Sequence, residues 1–160
     1  MLNVTARQEL MRTIVETLGV VVEEARLDFG EDGLAVRVVD PSHVAMIKMD
    51  VDSAAFDTWE VDETKLGLEM RKLKDIVGLA AAGDMVELAY NDESGQATIN
   101  IGRIDLNLRP LDNTTLNPPN VPSLELPCGV TISGSDLAQA LRAARQVGDL
   151  VNFCLLYTSP

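Results

Sequence analysis

Histidine occurs once in this chain, at His43, and cysteine twice, at Cys128 and Cys154. A single histidine excludes a His-pair metal site and leaves no second imidazole for acid–base work. The cysteines lack metal-ligand spacing and, with no secretion leader in Met1 to Leu10, read as free thiols and not as a bridge. Aromatic residues make up 4% of the chain, too few for a platform on which bases would stack. No apolar run approaches the roughly 20 residues needed to span a bilayer, so a cytosolic location with no membrane partner is expected. Glycine-rich phosphate loops are missing too: Gly30 and Gly33 bracket a turn, and no Lys-Ser/Thr follows them. Basic charge is scarce, with 13 Lys and Arg beneath 25 Asp and Glu and a net charge of −12. Such a surface repels phosphates, so any nucleic-acid contact has to be local. Nine arginines against four lysines in so acidic a chain would suit a salty cytoplasm, and ordinary acidic solubility fits equally well. Acidic clusters such as Glu23-Glu24 and Asp50 with Asp52 read as solvated charge before they read as metal ligands. No catalytic residue, metal or cofactor is expected, and the chain is not read as an enzyme.

What the chain does contain is aliphatic residues: hydrophobic side chains account for 46% of 160 residues, enough for one good core and the start of a second domain. Met1 to Val4 reads as a short edge strand, and Thr5 with Gln8 has capping-box spacing for a helix that carries Leu10, Met11, Ile14 and Leu18 on one face and closes at Gly19. Arg26 to Phe29 and Leu34 to Val39 form a hairpin across Glu31-Asp32-Gly33. Ala54 to Phe56 reads as a helical turn, Trp59 to Val61 as irregular or strand structure, and Leu66 to Leu68 as a strand. Met70, Leu73, Ile76, Val77 and Ala80 recur at helical spacing until Gly83. Asp84 to Tyr90, Gln96 to Ile101 and Ile104 to Arg109 then form a three-stranded meander.

After Pro110 the composition changes. Residues 111–127 hold four prolines and read as an extended linker, stiffened by proline, with Leu116 and Val121 free to pack or bind. Beyond it Val130 to Ile132 reads as a strand, Ser135 as a helix cap, and Leu137, Leu141, Ala144 and Val147 as the apolar face of a helix. The order strand, cap, helix, glycine repeats the opening of the chain and points to a duplicated domain.

The sequence from Leu34 to Val51 is broken once, by Asp40-Pro41-Ser42-His43. Pro41 cannot donate to a strand ladder, and Asp40 and Ser42 have side chains that can bond nearby amides, so the chain turns a corner and sets His43 and Val44 at a strand edge. From the pattern alone this is either a tight turn with a surface histidine or a place where side chains reach a partner.

Asp40-Pro41-Ser42-His43-Val44-Ala45-Met46, with Phe56-Asp57-Thr58-Trp59 downstream, resembles the sliding clamps of the proliferating cell nuclear antigen family, above all the archaeal ones. The resemblance runs from Met1 to about Val151 and includes the order of every element above. It implies an α+β clamp fold, with antiparallel sheets outside and two helices per domain on the inner face. It also implies a ring of three subunits, a homotrimer in the full-length parent, whose helices face encircled double-stranded DNA. Partners would be a replicative DNA polymerase, a clamp loader and other replication and repair proteins that dock through short peptide motifs. The domains would be a first clamp domain over residues 1–110, a connecting linker over 111–127 and the start of a second domain over 128–152.

On this resemblance Arg12 and Arg142 occupy positions that are basic in many members. Gly19, Asp75 and Gly78 depart from the family's pattern, and Arg71, Lys72 and Lys74 stand in nearby, with Arg145 beside Arg142. The peptide groove would take Val39, His43, Val44 and Met46 on one wall and Leu116, Val121 and Pro122 on the linker side. Ile104, Leu106, Leu108 and Arg109, on the last strand of the first domain, would meet an edge strand of the neighbouring subunit. That neighbouring strand lies in a part of the family's second domain that this chain lacks, so the 160 residues are not expected to close a ring alone. Residues 153–160 do not resemble the family's continuation and read as a truncated or foreign tail. A checkpoint-type clamp subunit, and a peptide-binding assembly domain with no DNA role, are the alternatives.

Overall fold

A computed structural model describes residues 1–121, 123 and 125–154. The chain divides into two compact units, Met1–Val121 and Pro122–Pro160.

The first unit contains β1 (Leu2–Arg7), α1 (Gln8–Gly19), β2 (Glu24–Phe29), β3 (Gly33–Val39), β4 (Met46–Asp52), a 3-10 turn (Ser53–Ala55), β5 (Thr58–Val61), β6 (Thr64–Glu69), α2 (Met70–Val77), β7 (Met85–Asn91), β8 (Gln96–Ile101) and β9 (Ile104–Leu108). Nine strands form two antiparallel sheets, ordered β5-β1-β7-β8-β9 and β4-β3-β2-β6. Alternation decides which face each strand buries. Leu2, Val4 and Ala6 of β1, Ala25, Leu27 and Phe29 of β2, and Ala97, Ile99 and Ile101 of β8 all turn into one core. Met11, Ile14, Val15 and Leu18 of α1 and Met70, Leu73, Ile76 and Val77 of α2 cover it. Each Val, Leu, Ile, Phe or Met among them contributes about 1.5–3 kcal/mol by leaving water.

The unit is built twice from one pattern: strand, helix, three-stranded meander. β1-α1-β2-β3-β4 corresponds to β6-α2-β7-β8-β9, and the two halves exchange their first strands, since β1 pairs with β7 and β6 pairs with β2. The exchange also caps the helices. Neither N-cap side chain bonds its helix; instead the amide of Gln8 donates to the carbonyl of Asp84 and the amide of Met70 to that of Glu23, both at 2.8 Å. Each helix thus has a first-turn amide satisfied by the residue that leads into the other half's meander.

Three sequence expectations change here. β1 is longer than Met1 to Val4 and central, flanked by β5 and β7. Thr5 lies inside that strand, paired with Thr58 and Glu87, so it does not cap α1, and the helix starts at Gln8 because the strand runs straight into it. α2 stops at Val77, short of Gly83, and turns through Gly78. Trp59 closes the space between the sheets: its ring lies 4.5 Å from Phe56 and 5.9 Å from Phe29, and its indole N–H donates to the carbonyl of Gly30 at 3.0 Å.

In the second unit α3 spans Gly134–Ala144. Its N-cap is Ser133, not Ser135, which falls within the first turn; the two hydroxyls hydrogen-bond to each other at 2.6 Å. Val130 to Ile132 pairs with no strand among the described residues and is exposed. A strand needs a partner to complete its ladder, and the sequence pattern alone cannot supply one. No helix of the described residues is long and apolar enough to cross a membrane.

Candidate functional site

α1 and α2 pack side by side, and the residues they leave outside the core form a charged face. Arg12 and Glu16 stand one turn apart on α1, with Arg12 Nε donating to Glu16 Oε1 at 3.1 Å. Lys74 Nζ of α2 approaches the same oxygen at 3.6 Å. Two shallow hollows flank this bridge. Arg71 borders one of them together with Glu16 and Lys74, and Arg12 borders the other with the same pair. Arg12, Arg71 and Lys74 therefore share one face. Lys72 does not: it is exposed but about 160° round α2 from Lys74 by helix geometry, on the flank away from α1, and borders neither hollow. Asp75 and Glu16 sit among the cations, so the face is close to charge balance. Glu16 is held below its ordinary pKa, first by the hydrogen bond from Arg12 and further by the charges of Arg12 and Lys74.

In the second unit Arg142 lies in the last turn of α3 and Arg145 is its C-cap. Both are exposed, and both sit where the helix dipole favours positive charge.

The corner after β3 is organised by one carboxylate. Asp40 Oδ1 accepts from the amides of Val44 at 2.7 Å and Ala45 at 2.6 Å, and Oδ2 accepts from Ser42 at 3.0 Å. Backbone bonds from Asp40 to the carbonyl of Ala45 and from His43 to the carbonyl of Asp40, each 2.9 Å, close the loop. Those amides, Ala45 foremost and then Val44 and Ser42, hold the Asp40 carboxyl below its ordinary pKa. The loop places His43 in the left-handed region with φ 57° and presents Val44 at 86% exposure. Met46 opens β4 opposite Val39 in register, and it remains 37% exposed.

The linker takes a definite path. Leu111 bridges Gly67 of β6, its amide donating to the Gly67 carbonyl at 2.9 Å, and Asn113 Nδ2 donates to the carbonyl of Lys65 at 2.5 Å. Residues 115–119 then roof a groove of about 160 Å³ floored by β2 and β3, with Arg26, Arg37, Val38 and Val39 facing Leu116, Pro118 and Pro119. Val39 and Leu116 are thus brought together, while His43, Val44 and Met46 stand outside this groove. Val121, at 46% exposure, is on the surface, and Pro122 lies outside the described residues. The sequence reading passed over Arg26, Arg37, Pro118 and Pro119. A signal for the linker's course was present in Gly67, a lone glycine between buried Leu66 and Leu68, because such a glycine marks close approach of another backbone.

β9 is an edge strand that pairs only with β8. Ile104 and Arg109 are exposed and Leu106 half-buried, but Leu108 is 6% exposed within the core. Only its backbone, and not its side chain, is available at that edge. Among the described residues no group of three or more His, Cys, Asp or Glu is placed to hold a metal ion.

Two antiparallel sheets, a paired-helix face and an unpaired strand edge define an α+β domain of the DNA clamp class. Residues 1–105 match the family model for the proliferating cell nuclear antigen, N-terminal domain, and the chain belongs to that family. It is 37% identical over 150 residues to the DNA polymerase sliding clamp of Methanococcoides burtonii and 31% identical over 150 residues to that of Haloarcula marismortui, covering 93% of this chain and 61% of each relative. The solved structure of the C-terminal region of FEN-1 bound to A. fulgidus PCNA matches with a TM-score of 0.88 at 30% identity, covering 93% of this chain and 61% of that one. The chain spans about three fifths of the length of the relatives it matches.

Proposed function

We propose that this chain is the first domain, linker and beginning of the second domain of a DNA polymerase sliding clamp, a non-enzymatic processivity factor. Its full-length homotrimer encircles duplex DNA and recruits replication and repair proteins. The observation that carries the reading is the helix pair that presents Arg12, Arg71 and Lys74 on one exposed face of a chain with net charge −12. Relatives at 31–37% identity that are themselves DNA polymerase sliding clamps support it. A topologically closed ring needs only weak, non-specific phosphate contacts, and a nearly neutral lining lets it slide.

Arg142 and Arg145, exposed at the end of α3, offer the second unit's own contacts to the duplex, and Lys72 contributes at most long-range charge. Partner proteins, the replicative polymerase, the clamp loader and a protein of the FEN-1 kind among them, dock a short peptide motif over His43, Val44 and Met46 at the corner and Leu116 and Val121 on the linker, with Val39 joining the two walls. The edge of β9, through Ile104, Leu106, Arg109 and the backbone of Leu108, pairs with the neighbouring subunit. The protein works in the cytoplasm, at the chromosome.

The test is DNA synthesis on circular primed template with the full-length protein. Arg12→Ala with Lys74→Ala reduces processivity and leaves peptide binding intact, whereas Val44→Asp weakens peptide binding and, with it, processivity. Full processivity in the double variant, with peptide binding retained, would favour a peptide-binding assembly domain without a DNA role.

A further inference from the structure

The α1–α2 face holds its own counter-ion, and we infer that Glu16 competes with DNA phosphate for Arg12 and Lys74 and so sets how weakly the face grips the duplex. The inference rests on the DNA reading above and adds a residue of opposite sign to it. Glu16 is the point at which the two helices meet electrostatically: one oxygen, Oε1, takes Arg12 Nε at 3.1 Å from its own helix and Lys74 Nζ at 3.6 Å from the other. Without Glu16 the two cations would repel across the helix pair. With it, both cations lean toward one carboxylate while their side chains stay more than half exposed, at 58% and 56%. The Arg12 pair follows i,i+4 spacing and would form in an isolated helix. The Lys74 pair exists only because α2 lies against α1, so the carboxylate acts on both helices together.

The consequence is chemical competition. A phosphate oxygen that comes for the Arg12 Nε–H meets an occupied donor, and one that comes for any N–H of Arg12 or Lys74 meets the repulsion of the Glu16 carboxylate beside it. Asp75 adds a second negative charge to the face, but among the described residues it pairs with no cation within 4.0 Å. The two acids therefore differ in kind: Asp75 only lowers the net charge, while Glu16 lowers it and also occupies the Arg12 Nε–H and pairs with Lys74.

Glu16→Gln keeps the side-chain length and packing but removes the anion. Each further phosphate contact steepens the dependence of log K on log salt by about 0.9, so freeing one or two cations steepens it by about one to two units. The variant's gain in affinity over the unmodified chain, for a short duplex of arbitrary sequence, is then about three- to twelvefold larger at 50 mM salt than at 200 mM.

The experiment titrates that duplex into the 160-residue chain, followed by the arginine side-chain Nε–H resonances and backbone amides of α1 and α2, at two salt concentrations. Four proteins are compared: the unmodified chain, Glu16→Gln, Asp75→Asn, and Arg12→Ala with Lys74→Ala. In the absence of DNA, Glu16→Gln is expected to speed solvent exchange of the Arg12 Nε–H; unchanged exchange overturns the pairing. With DNA, Glu16→Gln is expected to bind more tightly, with the steeper salt slope, than Asp75→Asn. Equal gains from the two variants reduce the effect to net charge and overturn the inference, as does no gain from Glu16→Gln while the double variant weakens binding. No response of either helix at 50 mM salt in any of the four proteins overturns the inference, whereas full processivity of the full-length Arg12→Ala, Lys74→Ala variant overturns the DNA reading itself.

Discussion

Gly67→Ala tests the path of the linker. A methyl group on Gly67 would stand 2.8 Å from Leu116 Cδ1, 3.1 Å from Asn113 Oδ1 and 3.1 Å from the carbonyl oxygen of Leu111. Leucine's terminal methyl can swing away, but the Leu111 carbonyl belongs to a backbone already bridged to β6. Relief of the contact therefore moves the chain at 111–113 outward. That loosens the amide bond from Leu111 to Gly67 and the Asn113 bond to Lys65, each worth about 0.5–1.5 kcal/mol. Against this, alanine loses less chain entropy than glycine in a strand, a gain of about 0.4–1 kcal/mol. Linker attachment should weaken by about 1–3 kcal/mol, while global stability changes by less than about 1 kcal/mol. Amide hydrogen exchange separates the two: the Leu111 amide should exchange roughly five- to a hundredfold faster, by local opening, with the β7 and β8 amides unchanged. A Leu111 amide as protected as before, with the protein more stable by the full entropic gain, would refute the argument.

Three further outcomes follow from the geometry. The Asp40 carboxyl titrates below its ordinary 3.8 because folded-state amides stabilise its charged form; the corner's order is therefore complete above that value and is lost as pH falls through the lowered one. Amide shifts of Val44 and Ala45 followed against pH should show a midpoint below 3.8, and a midpoint at or above it would contradict the arrangement. Trp59→Phe removes the indole bond to Gly30 while keeping an aromatic ring against Phe56, and should cost about 1–2 kcal/mol in denaturant unfolding followed by circular dichroism, since the single tryptophan is lost as a probe. Leu73→Ala in the α2 core should cost about 2–5 kcal/mol, and a loss under 1 kcal/mol would mean that α2 is not seated as described.

The corner was legible because its chemistry is local. Asp40 reaches only amides within five residues of itself, so the residue types at Asp40-Pro41-Ser42-His43 suffice to propose the turn. The strands of the meander were legible for the same reason, each advertising its buried face by alternation. The charged face was half legible: Arg12 and Glu16 are one turn apart in sequence, but Lys74 meets them across 58 residues of chain.

Sequence by itself determined the apolar stripes, the turn chemistry and the excess of acid, because side-chain period and local hydrogen bonding are short-range properties of the chain. Tertiary structure alone decided that the two halves exchange their first strands, and that each helix takes its first amide partner from the other half. It also decided that the linker lies on β6 and that Glu16 answers to two helices at once. Those outcomes depend on which distant segments become neighbours when one core is closed, and no residue carries that information until the chain is folded around it.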